Sequence, residues 1–128
     1  MKKIILILSI VSTSFATAGQ NKDTVQAYIE GYKITDTIRI EDLLRIGGIS
    51  LNNNQFSIES FSLIFMDRGF LQEFKTTSNK LTDEMKNALT NLKNKNIKSV
   101  KILFENIIVR TPQNTKSNIG MLIYKLKL

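Results

Sequence analysis

The sequence predicts an α+β fold: a mostly antiparallel β-sheet or sandwich, one main helix at about residues 82–93 packed on it, and a short helical turn near 41–46. Three observations lead there. Several runs alternate apolar and polar residues with period two, and Gly, Asn and Pro turns separate them. A single long segment instead repeats apolar residues at the three-and-four spacing of a helix face. The part that folds, residues 19–128, is of a length that supports one hydrophobic core, so a single domain is expected.

The first eighteen residues are excluded from that domain. Lys2 and Lys3 precede an apolar run, Ile4 to Phe15, and Ala16-Thr17-Ala18 supplies the small residues a signal peptidase accepts. The run falls short of the roughly 20 apolar residues that span a bilayer, and Ser9, Ser12, Thr13 and Ser14 weaken it further. Residues 1–18 thus read as a signal peptide cleaved between Ala18 and Gly19, which places the mature chain in the periplasm or outside the cell.

After a polar lead-in, Val25, Ala27 and Ile29 share one face of a strand over Thr24–Tyr32, and Ile34–Ile40 can also extend. Glu41 to Ile46 forms about one helical turn, with acids at its positive end and Arg45 near its negative end. Gly47-Gly48 stops it, because glycine adopts positive φ freely. An asparagine turn, Leu51–Asn54, leads into the longest strand, Phe56 to Met66. There Phe56 and Ile58 are one residue out of phase with Phe61, Leu63 and Phe65, and a β-bulge near Glu59-Ser60 restores one face. Asp67-Arg68-Gly69 closes a hairpin onto Phe70, Gln72, Phe74 and Thr76.

Thr82 caps the main helix, Asp83 and Glu84 suit its dipole, and Leu81, Met85, Ala88, Leu89 and Leu92 form its apolar stripe. Asn94 to Asn96 ends it. Val100, Ile102 and Phe104 alternate next, and Ile107 and Val109 rejoin their face after a slip at Glu105-Asn106, where Asn106 is expected to bond its own backbone. Pro112 takes its favoured place in the turn Thr111–Asn114. A last strand is expected from Ile119 to Leu128 with Leu122, Tyr124, Leu126 and Leu128 on one side.

Several motifs together resemble the C-terminal domain of the GldM (PorM) family of gliding-motility and type IX secretion proteins. They are Leu43-Leu44, Gly47-Gly48-Ile49, Phe56-x-Ile58, Phe61-x-Leu63, Gly69-Phe70, Ser78-Asn79-x-Leu81-Thr82, Val100-x-Ile102-x-Phe104-Glu105-Asn106-Ile107 and Pro112. The likeness runs from about Ile38 to Leu126. Asn94–Asn96 stands where the family usually has a glycine, and the family's membrane helix, long helical domain and further β domains have no counterpart. The resemblance implies a periplasmic protein-interaction domain, and from it we expect an accessory or paralogue of that machinery whose partners are envelope proteins. A homo-oligomer is compatible with this.

Chemistry finds little to work with. The chain has neither histidine nor cysteine, so histidine- or cysteine-based triads, thiol nucleophiles, histidine metal sites and disulfides are ruled out. Gly-x-Ser-x-Gly, phosphate-binding glycine loops and calcium-loop spacing are absent. The pairs Glu41-Asp42 and Asp83-Glu84 read as dipole-compensating residues and Glu105 as a bulge residue. We expect no enzyme, no cofactor and no metal. The net charge of +7 falls to +5 once Lys2 and Lys3 are removed, and the lysines are spread rather than blocked, which argues against nucleic acid. Candidate partner-binding residues are Arg68 at the hairpin tip, and Ile123 and Tyr124 on a last strand taken as the sheet edge, guarded by Lys125 and Lys127. Tyr28 and Tyr32 are expected to pack half-buried. The alternative function is a carrier or sensor holding a small apolar ligand between helix and sheet, which requires a cavity of several hundred Å3 under the helix.

The leader reading has a direct check. The exported protein should begin at Gly19 by intact mass, and retention of Met1 in the exported form would refute the cleavage.

Overall fold

The structure, a computed structural model, describes residues 24–128, so the cleavage site at Ala18 and Gly19 lies outside the described residues. The fold is α+β and mostly β. In chain order its elements are β1 (Ala27–Tyr28), β2 (Thr37–Arg39), α1 (Ile40–Ile46), β3 (Ser50–Leu51), β4 (Ser57–Asp67), β5 (Phe70–Thr76), α2 (Asp83–Lys93), β6 (Ser99–Arg110), β7 (Lys116–Asn118) and β8 (Leu122–Lys127). Of the two architectures the sequence admits, the chain adopts a sheet. Its order is β2-β8-β6-β4-β5, with β7 pairing the far end of β6, and β1 and β3 form a separate two-stranded ribbon. All pairs are antiparallel except β2 with β8.

Period-two alternation decides the two faces. Phe61, Leu63 and Phe65 of β4, Ile102, Phe104, Ile107 and Val109 of β6, Leu122, Tyr124 and Leu126 of β8, and Ile38 of β2 all point inward and are buried. Onto them pack Ile40 and Leu43 of α1, Met85, Leu89 and Leu92 of α2, and Ala27 and Ile29 of the ribbon segment. Phe104 meets Phe61 and Tyr124 edge to face. α2 begins where the sequence places it: the Thr82 hydroxyl accepts from the Met85 N–H, and Asp83 and Glu84 occupy the first turn.

Both expected bulges are present, and they face each other. Between the pairs Ile58↔Val109 and Ser60↔Ile108 the extra residue is Glu59 of β4. Between Ser60↔Ile108 and Ser62↔Glu105 it is Asn106 of β6. Each slip alone would turn the rest of its strand over. Together they cancel, and Phe61 lies opposite Ile107 with both side chains inward. Asn106 holds φ at +52°, and its side chain accepts from Asn118 at 3.5 Å instead of bonding its own backbone as expected. Arg110 fastens the site: its Nε and a terminal nitrogen each donate to Glu59 at 3.1 Å, and its other terminal nitrogen donates to Asn114 at 2.8 Å.

Three expectations need correction. The strand expected over Thr24–Tyr32 shrinks to Ala27–Tyr28 and an Ile29–Tyr32 bridge, since Gly31 turns the chain with φ +89°. The strand expected from Ile119 to Leu128 runs only over Leu122–Lys127, because Gly120 turns the chain with φ +101° opposite the bulge in β6, and the unpredicted β7 precedes that turn. Phe70 alternates in phase with Phe74, yet it is exposed because it sits at the turn beyond the covered part of the sheet. β8 is not the sheet edge: β6 lies along one side and β2 covers Lys125–Lys127 on the other. Among the described residues the long free edge is β5.

Leu89 is fully buried, so Leu89→Asp should cost on the order of 3 to 5 kcal/mol in urea titration, against less than about 1 for Lys86→Asp. Equal midpoints would place the wrong face of α2 on the sheet. The hydrogen bonds from Arg110 hold the Glu59 carboxyl below its ordinary value of 4.5. A depressed folded value means the stabilisation is complete above 4.5 and is lost as pH falls through the folded value. Stability should thus decline on acidification, by a small amount because the pair is about one-third exposed. Glu59→Gln should flatten that decline; an unchanged slope would show that the pair does not hold the bulges.

Candidate functional site

Among the described residues every element that covers the sheet lies on its inner face, so there the outer face stands open. The register reads off what it displays. Leu71 of β5 sits opposite Met66 of β4, Ile64 opposite Leu103 of β6, and Leu103 opposite Ile123 of β8. Met66 and Ile64 are two residues apart on β4, and Met121, immediately before β8, is two residues from Ile123. All six belong to the outward set, so they trace one apolar diagonal across four strands. Leu71 is 65% exposed, Met121 53%, Met66 47% and Ile123 38%, while Ile64 and Leu103 are half-buried by their neighbours. Phe70, 73% exposed, lies at the hairpin tip in the opposite phase to Leu71, so it belongs to the other side of the tip and not to this diagonal.

Charge divides along this diagonal. On one side Lys101 lies directly opposite Lys125, and Arg39 opposite Lys127. Among the described residues none of these three lysines forms an ion pair, whereas Arg39 lies 3.8 Å from a Glu41 that Lys93 already engages at 2.7 Å. On the other side Glu73, Lys75, Ser62 and Glu105 are mixed. An open groove of about 350 Å3 follows the basic flank, lined among others by Thr35, Ser99, Lys101, Ile123 and Lys125.

Of the candidate residues, Arg68 sits at the hairpin tip with φ +50°, exposed, its Nε 3.6 Å from Asp67. Lys95 also pairs with Asp67, which ties the tip to the end of α2. Ile123 lies on the open face. Tyr124 does not reach a surface: it is 1% exposed, its hydroxyl accepts from the Ile29 N–H at 3.3 Å, and burial pushes the phenol pKa up. It points inward because its strand alternates, and only Ile123 of the pair faces out. Tyr28 and Tyr32 are half-buried.

The structural motif residues fall into two groups. Gly47 takes the left-handed position after α1 with φ +76°, and Gly48 lies against the segment leading to α2, where a Cβ would meet the Asn79 carbonyl oxygen at 2.3 Å. The Ile49 N–H donates to that same oxygen at 3.0 Å, and the Leu81 N–H donates to Gly47 at 2.8 Å. Gly69 turns the hairpin with φ +88°, Glu105 and Asn106 flank the bulge in β6, and Pro112 is exposed in the turn before β7.

The adjacent acids serve separate partners. Glu41 accepts from Lys93, and Asp42 accepts from the Tyr32 hydroxyl, which holds its carboxyl below the usual range. Among the described residues no three metal-ligating side chains cluster, and no helix is long and apolar enough to cross a membrane. The composition of each strand was legible in the sequence, but the diagonal and its basic flank were not, because both arise from cross-strand register.

Comparison with known proteins adds no relative: no family model matches the chain, and no curated protein matches it.

Proposed function

We propose that this chain is a non-enzymatic, extracytoplasmic protein-interaction module, an accessory of envelope machinery of the type IX secretion and gliding kind. The observation that carries it is the concentration of exposed apolar side chains at the β4–β5 hairpin, Met66, Phe70 and Leu71, beside the long free edge of β5. An edge strand offers unpaired N–H and C=O groups that a partner strand completes, and exposed aromatic and aliphatic side chains supply the anchor. Arg68 stands at the same tip. The link to the GldM family rests on the order of the quoted sequence motifs.

The carrier reading is weaker. Met85, Leu89 and Leu92, the α2 residues that would roof a ligand cavity, are fully buried in the same cluster as the sheet residues. The groove beside Ile123 lies at the surface.

The test is the double variant Phe70→Ser, Leu71→Ser. It should keep the denaturation midpoint within about 1 kcal/mol, because both side chains are already exposed. It should lower capture of cross-linked envelope proteins by about ten-fold or more. Undiminished capture would sink the hairpin as the docking point. Release of a stoichiometric small apolar molecule on extracting the purified protein would replace this reading with the carrier.

A further inference from the structure

The open face carries charges that the fold does not use. Lys101 and Lys125 are cross-strand partners, as are Arg39 and Lys127, and like charges placed directly opposite one another destabilise a sheet. Guarding an edge explains lysines on an outermost strand. That explanation does not reach Lys101 and Lys125, whose strands both lie inside the sheet. Solvation of the outer face would account for the lysines alone but not for the residues beside them, since a wetted face carries polar side chains throughout. Here the outward set holds an unbroken apolar line from Leu71 to Met121.

We infer that the outer face is the seat of an amphipathic helix from a partner protein, apolar along its seam and acidic along the flank that meets Lys101, Lys125, Lys127 and Arg39. The inference rests on the reading of this chain as an interaction module and names the chemistry of its partner. Three features select that occupant. A sheet face presents side chains and no free backbone groups, so whatever lies on it must satisfy its own N–H and C=O groups, as a helix does. The length fits: from β5 to β8 is three strand spacings, and the line shifts four residues along the strands. At the usual spacings it runs about 20 Å, or about 13 helical residues. The charge is one-sided. An anionic bilayer would meet Glu73 and Glu105 as well as the lysines. A second copy of this chain would offer the basic flank only those two acids, with Lys75 beside them.

The experiment uses the purified protein and two synthetic 18-residue helical peptides with the same leucine seam, one flanked by glutamates and the other by lysines. Fluorescence anisotropy should show the glutamate peptide binding at least about ten-fold tighter, an advantage that shrinks with added salt. In Lys101→Glu, Lys125→Glu the preference should reverse. Leu103→Lys should abolish binding of both peptides, and each variant should keep the wild-type circular dichroism and melting cooperativity. Equal binding of the two peptides, binding of neither, or an unreversed preference in the charge variant would overturn the inference. So would tighter capture by phosphatidylglycerol vesicles than by the glutamate peptide, which would make the face a membrane surface. A dimer that Leu103→Lys dissociates would also overturn it, by making the occupant a second copy. If these fail while Phe70→Ser, Leu71→Ser still blocks envelope capture, the acidic helix is wrong and the docking module stands. If capture survives both sets of variants, the docking reading fails with it.

Discussion

The fold depends on the cancellation of two slips. Among the described residues β6 alone touches three other strands, and its outward and inward sets must agree with those of β4, β7 and β8 at once. A lone extra residue at Glu59 would turn Ser57 and Ile58 over relative to the rest of β4. Asn106 answers it on the facing strand, and Gly120 relaxes the third strand at the same level. The result keeps Ile58, Phe61, Ile107 and Val109 over one core although neither strand alternates without a break. Arg110 is well placed to hold this arrangement, since it grips the bulged residue of β4 and the turn that leads to β7 with one guanidinium.

From this follows an asymmetric molecule. Among the described residues everything that covers the sheet, α1, α2 and the β1–β3 ribbon, arrives on the inner side, because the inward residues of β4, β6 and β8 are predominantly apolar there. The outer side is left with an alternation that is polar in places and apolar in others. Ordinary solvated faces do not need Leu103 or Ile123, and a covered face would not tolerate Lys101 opposite Lys125. That mixture is what separates a surface meant for occasional contact from either a core or a plain exterior.

Much of the fold was legible in the sequence because strong local signals agree with the tertiary structure. α2 shows the Thr82 cap, the first-turn acids and the stripe through Leu89. The hairpin shows Asp67-Arg68-Gly69, and each bulge shows as a break in phase at Glu59 or Asn106. The weaker readings failed where one residue decided the outcome. Gly31 and Gly120 each ended a run whose alternation alone would have continued. The candidate site was less legible. Tyr124 and Ile123 are neighbours in sequence, and which of them faces solvent depends on the strand's phase against the core. The choice of Tyr124 as an anchor went against the alternation that had already set it with Leu122 and Leu126. The place of β8 inside the sheet could not be read from its own residues either, because β2 joins it from the other end of the domain.

That last pairing bears on how the chain reaches its native state. The β4–β5 hairpin closes over a two-residue turn and can form as soon as its own residues are available. β4 then presents its other side unpaired until β6, which follows a whole helix, arrives to cover it. β2 waits longest, since among the described residues Thr37–Arg39 pairs only with a strand near the end of the chain, Leu122–Lys127. Contacts so distant in sequence carry a loop-closure cost that nothing local repays, so assembly is slow relative to an all-helical domain of this size. A chain emerging amino end first would therefore pass through an interval in which the apolar strand β4 has one open side. Protection during that interval falls to whatever receives the chain, and losing the final few residues would leave β2 with no strand to join.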